Sequence, residues 1–102
     1  MRIRFANPIH PGEMLREEFL VPLDMSAGQL AKALGVPRTR IERLAREETA
    51  LSADTAMRLA RYFGTSEEFW LNMQTSHDLD RAHADAALQA DLARITPREA
   101  AA

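Results

Sequence analysis

The sequence contains no cysteine. Disulfides, thiolate zinc sites and cysteine nucleophiles are therefore excluded, and a cysteine-free chain suits a reducing cytosol, so a cytoplasmic location is expected. Glycine (4) and proline (5) are scarce while Ala and Leu abound, which favours helices over a turn-rich β architecture. Lysine is nearly missing: Lys32 is the only one, and every other basic side chain is Arg. No apolar run approaches the roughly 20 residues of a membrane helix, and the opening Met1–Pro8 lacks the apolar stretch of a secretory signal, so no membrane partner is expected. What remains is a 102-residue chain, 46% hydrophobic and 27% charged, long enough for one hydrophobic core and too short for two.

The net charge of −2 argues against coating nucleic acid by charge alone. Its distribution says more. Residues 1–36 are balanced. Residues 37–61 hold six Arg (38, 40, 43, 46, 58 and 61) against four acids, and residues 62–102 hold three Arg against seven acids. The positive charge lies mid-chain and is carried by guanidinium groups, whose planar fork matches phosphates and guanine edges.

Turn signals divide the chain into an extended arm, five helices and a tail. The arm covers residues 1–9, where Ile3 and Phe5 alternate with Arg2 and Arg4. Pro11 sits where a first helical turn tolerates it; Met14, Leu15, Glu18 and Phe19 follow at helical spacing, and Pro22 stops that helix. Ser26 caps a second helix with Leu30, Ala31 and Leu34 on one face, and Gly35 ends it. Pro37 opens a third, with Ile41 and Leu44 inward and Arg38, Arg40 and Arg43 outward. Ser52 caps a fourth, carrying Ala53, Ala56, Met57, Ala60, Tyr62 and Phe63 and closed by Gly64. Thr65 or Ser66 caps a fifth, which opens on Glu67 and Glu68 and carries Phe69, Trp70 and Met73. The expected layout is one domain over residues 1–85, its last helix serving dimerisation, and a loose or partly helical tail over 86–102.

The stretch from Ala27 to Arg46, AGQLAKALGVPRTRIERLAR, is the informative one. Two helices packed across a tight turn need a small residue at their crossing, which Ala31 supplies. They need a residue free to take positive φ in the turn, which Gly35 supplies. They also need a β-branched residue and a Leu to bury from the second helix, which Ile41 and Leu44 supply. Leu30, Leu34 and Val36 complete the small core. This is the spacing of a helix-turn-helix, whose second helix lies in the DNA major groove. Arg on that helix can pair bidentately with guanine, and Thr can touch a thymine methyl. The expected DNA-binding set is Arg38, Thr39, Arg40 and Arg43 with Ser26, Gln29 and Arg46.

With GVPRTRIERL preceded by Leu-Ala-Lys-Ala-Leu, the chain resembles the lambda-repressor-like helix-turn-helix family, and within it the HigA-type antitoxins. The flanking stretches carry the closer likeness: IHPGEMLREEF (9–19), SADTAMRLARYFGTS (52–66) and FWLNMQ (69–74). The resemblance spans about residues 8–82. It implies an all-α five-helix domain that dimerises on a palindromic double-stranded operator, represses its own operon, and neutralises a RelE-like mRNA endonuclease by direct binding. Three departures stand against that pattern. Ala27 occupies a position where such domains often place a Gln on the DNA backbone; Arg46-Glu47-Glu48 replaces a loop that usually contains Gly and is basic; and the two acids there would repel phosphate.

Catalysis is not expected. Glu13, Glu17 and Glu18 read as a solvated helix face, and Ser26, Ser52 and Ser66 as caps rather than nucleophiles. No metal or other cofactor is expected either: His77 and His83 are six apart, off the spacing of a helical zinc pair, and His10 reads as a cap or packing residue. Phe69, Trp70 and Met73 are assigned to a homodimer interface, with burial in the monomer core as the alternative for Trp70. Two other functions share the fold: a repressor without a toxin, and a protein-interaction module that has lost DNA binding.

Overall fold

In the computed structural model, residues 8–99 are described, so the arm expected over residues 1–9 lies almost wholly outside them. The described residues form six helices and no strand: α1 (Pro11–Leu15, extended by a wider π-helical turn over Arg16–Leu20), α2 (Ala27–Leu34), α3 (Arg38–Ala45), α4 (Ala53–Phe63), α5 (Glu67–His83) and α6 (Ala86–Ala93). The all-α expectation holds, but the helix count rises from five to six. The extra one is α6, which forms in the expected tail because Asp85 accepts the Leu88 N–H at 3.1 Å and so caps its first turn.

Helix starts follow the capping chemistry of the sequence. Ser26 and Gln29 form a reciprocal capping box on α2. Ser52 and Ser66 cap α4 and α5, which decides between Thr65 and Ser66. Thr65 instead accepts the Trp70 indole N–H at 2.8 Å. The His10 ring accepts the Gly12 N–H at 2.9 Å through Nδ1 and thereby caps α1.

The first helix departs from its expected regular spacing. The Val21 N–H bonds to the carbonyl of Arg16 at 3.0 Å, five residues back. A bond of that length brings residues five apart onto one face, and Leu15 and Leu20 are indeed both buried. Gly12 lies at the start of this helix, where α1 crosses α3. A Cβ there would come within 1.8 Å of the Leu44 carbonyl oxygen, so no side chain fits.

One core joins α1 to α5. Leu15, Leu30, Ile41, Leu59, Trp70 and Met73 are its largest closed-off apolar side chains, with Ala31, Leu34 and Leu44 at the α2–α3 crossing. Phe19 and Phe69 pack on Trp70, with ring centroids 5.1 Å and 5.2 Å away, and Phe63 packs on Phe19 at 4.6 Å. In α4 the inward positions are Thr55, Ala56, Leu59 and Ala60, whereas Ala53, Met57 and Tyr62 face solvent. Gln74, buried in α5, accepts the Leu51 N–H at 2.7 Å and donates to Asp78, which ties the loop before α4 to the core.

Trp70 and Met73 have no exposure within the single chain. That corrects their assignment to a surface between two copies: the cleft between α1, α4 and α5 already takes their apolar area. Phe69 is half-buried beside them. No helix among the described residues is long and apolar enough to cross a membrane.

Candidate nucleic-acid interface

The geometry of α2 and α3 starts from the turn between them. Gly35 ends α2 with φ at +71°, and the Val36 N–H returns to the Ala31 carbonyl at 3.0 Å. Ala31 is buried at the crossing, as its small size requires. The chain then enters α3 through Pro37, whose extended backbone starts the helix without a side-chain cap. In α3, Ile41, Leu44 and Ala45 face the core. At 3.6 residues per turn the opposite face falls on Thr39, Arg43 and Arg46, with Arg38, Arg40 and Glu42 along the flanks. All of these are exposed except Glu42, which is half-buried.

Not every predicted side chain is free. Arg43 and Arg46 take part in no ion pair among the described residues, and Arg43 with Thr39 and Arg40 lines a groove continued by Thr49 and Ser52. Arg38 lies 3.7 Å from Glu42 and packs beside Gly28 at the start of α2. Arg40 is bonded to Asp54 at 2.9 Å, in the first turn of α4. Ser26 and Gln29 are bonded to each other through the capping box, which leaves the Ser26 hydroxyl hydrogen and the Gln29 amide N–H groups available to a phosphate oxygen. The structure thus brings Arg38, Thr39, Arg40 and Arg43 onto one helix, with Arg46 at its C-terminal cap, and sets Ser26 and Gln29 at the start of its neighbour.

Two residues outside the expected set belong to this neighbourhood. Asp54 accepts from Arg58 Nε at 2.8 Å as well as from Arg40, and Arg58 Nη1 donates to the Leu34 carbonyl at 2.7 Å. The hydrogen bond from Arg58, followed by that guanidinium's charge and the bond from Arg40, holds the Asp54 carboxyl below its ordinary range. The i, i+4 spacing of Asp54 and Arg58 was the available signal, but nothing local points from either to α3.

The end of α3 bears on the two acids. The Glu48 N–H bonds to Arg43 and the Glu47 N–H to Leu44, both at 2.9 Å, which closes the helix in the same way as Gly35 closes α2. The residue at the left-handed position is here Glu47, with φ at +62°. Arg16 reaches across to pair with Glu47 at 3.3 Å and also donates to the Ala45 carbonyl at the end of α3. Glu47 is therefore partly neutralised, whereas Glu48 stands exposed without an ion pair among the described residues. On the far side of this loop, His10 meets His77 edge to face at 5.1 Å.

Comparison with known proteins agrees with this geometry. The sequence model described as "Helix-turn-helix" matches residues 15–70. The chain is 56% identical over 77 residues to virulence-associated protein I of Dichelobacter nodosus, covering 76% of this chain and 71% of that protein. It is 40% identical over 79 residues to antitoxin HigA-1 of Vibrio cholerae serotype O1, covering 78% and 74%. Among solved structures, the Pseudomonas aeruginosa antitoxin HigA with the higBA promoter superposes with a TM-score of 0.80 at 45% identity, covering 89% of this chain and 98% of that one.

Proposed function

The chain belongs to the helix-turn-helix family, among its HigA-type antitoxins, and from that premise we propose that it is a homodimeric operator-binding autorepressor that also neutralises a RelE-like mRNA endonuclease. The family is a non-enzymatic, DNA-binding class. The observation that carries the DNA reading is the outward face of α3, where Thr39, Arg43 and Arg46 oppose the buried stripe of Ile41, Leu44 and Ala45. Phosphate contacts from Ser26, Gln29 and the flanking Arg would hold the register, and Arg–base contacts would choose the sequence. The solved relative carrying a promoter supports this.

A single α3 reads only a few base pairs, so two copies are needed, with their recognition helices about 34–36 Å apart. Since Trp70 and Met73 are spent in the core, the twofold needs other apolar surface. Leu88, Leu92 and Ile95 lie four and three residues apart along α6 and its end, and stand 37%, 48% and 65% exposed. With Leu79 of α5, which is also exposed, they offer that surface. Toxin binding rests on the likeness to the V. cholerae antitoxin, and the cytoplasm is where both partners would meet.

Binding of the full chain to a duplex from its own promoter tests the DNA reading. Arg43→Ala should lose about 1–3 kcal/mol of operator affinity, the worth of one bidentate base pair contact. Equal affinity for promoter and unrelated duplex would overturn it. Toxin neutralisation is tested by co-purification with the product of a neighbouring small gene and by relief of its growth arrest.

A further inference from the structure

Among the described residues, Arg40 is the one predicted base-reading side chain held by a carboxylate on a different helix. One oxygen of Asp54 serves both Arg40 Nη1, at 2.9 Å, and Arg58 Nε, at 2.8 Å. Arg58 in turn donates through Nη1 to the carbonyl of Leu34, the last residue of α2 before the Gly35 turn. The three side chains therefore connect the end of α2, the first turns of α4 and the flank of α3. All three remain partly open to solvent, with side-chain exposures of 43%, 56% and 42% for Arg40, Asp54 and Arg58.

Such a link has two physical consequences: the first acts on selectivity, the second on the strength of binding to DNA of any sequence. A free surface Arg samples many rotamers and can meet any phosphate within reach. A tethered one keeps its Nη2 end directed to a single place, with part of its rotamer freedom already lost before DNA arrives. The Asp54 charge also offsets one positive charge beside the DNA-facing helix, which weakens the sequence-independent attraction to phosphate. Resting on the reading of α3 as the DNA-contacting helix, we propose that Asp54 and Arg58 are positioning residues that aim Arg40 and raise the preference for operator over other DNA.

The test measures the binding of the full-length chain and its variants to a duplex from its own promoter and to a scrambled duplex of equal length, over a salt series. Asp54→Ala should bind the scrambled duplex more tightly, steepen the salt dependence by about one phosphate contact, and lower the promoter-to-scrambled ratio about fivefold, the lower end of what one Arg–base contact discriminates. Asp54→Asn, which keeps the shape and loses the charge, should fall between the parent and Asp54→Ala, and it keeps the test open if the Ala variant disturbs α4. In an Arg40→Ala background, Asp54→Ala should leave the ratio unchanged. A purely structural role would instead move the melting temperature and leave both ratio and salt slope alone, and that result overturns the proposal. An equal fall in the ratio with and without Arg40 also overturns it, since Asp54 would then act by another route. A parent that shows no promoter preference removes the DNA-binding reading itself, and the positioning role with it.

Discussion

The first half of α5 and the whole of α6 carry similar apolar loads and use them in opposite ways. Trp70 and Met73 are fully enclosed by α1, α4 and their own helix, and the indole N–H has its partner in Thr65. In α6, by contrast, no residue is buried, although Leu88, Leu92 and Ile95 recur on one side. The neighbours explain the difference. Trp70 packs against Phe19 and Phe69, with Phe63 against Phe19, whereas α6 meets α5 through polar contact, Gln89 donating to the Ala82 carbonyl at 2.9 Å. Apolar side chains thus serve folding in one segment and stand open to solvent in the other.

The contrast is sharpened first at Trp70. Trp70→Ala should remove about 3–5 kcal/mol of stability, because a large enclosed side chain leaves a cavity that the surrounding helices cannot fill; urea denaturation reads this directly. Met73→Glu should prevent folding at ordinary temperature, since a carboxylate would be buried without a partner. A folded Met73→Glu chain would show that this helix is not core.

A smaller effect is expected at His10, on the other edge of α5. Burial, and then the neighbouring His77, push the His10 pKa below its ordinary value of 6.5, while Glu47, the Thr49 backbone and Asp78 pull the other way. The unfolded chain therefore takes up the proton more readily than the folded one. Stability should be complete above about pH 6.5 and should fall as pH drops from there towards the lowered folded value. Protonation also removes the lone pair that accepts the Gly12 N–H, which acts in the same direction. Melting curves between pH 7.5 and 5 should show the decline, and His10→Asn, which can still cap, should flatten it. His10→Ala should cost about 0.5–2 kcal/mol as a lost cap.

Next in size is Glu47. Glycine relieves the left-handed backbone by about 1 kcal/mol, whereas loss of the exposed pair with Arg16 costs at most about that much. Glu47→Gly should therefore leave the melting temperature level or slightly raised. Combined with Glu48→Lys it should tighten DNA binding and steepen its salt dependence, because a repelling charge gives way to an attracting one. No change at low salt would mean that this loop stays away from the backbone. Least of all in stability, Leu92→Glu should shift folding by no more than about 0.5 kcal/mol, as at other open positions. It should nonetheless give a folded monomer in sedimentation at micromolar concentration, with weakened operator binding. A stable Leu92→Glu dimer would break the contrast and place the twofold elsewhere.

Much of this molecule was legible in its residues, because the determinants are local. Ser26, Ser52 and Ser66 announce helix starts through bonds that span three residues, and Gly35 announces a turn through its own φ. The Ala31, Gly35, Ile41 and Leu44 spacing carries the helix-turn-helix because both of its helices and their turn lie within twenty residues. The outward Arg of α3 follow from the same periodicity. The tertiary structure alone decided what depends on distant segments: that Gly12 must admit the Leu44 carbonyl, that Trp70 and Met73 fill the core, that Arg16 reaches Glu47, and that Asp54 takes hold of Arg40. Periodicity states which face of a helix is apolar. Whether that face is covered by the same chain depends on how the other helices pack, and for α5 and α6 the two answers differ.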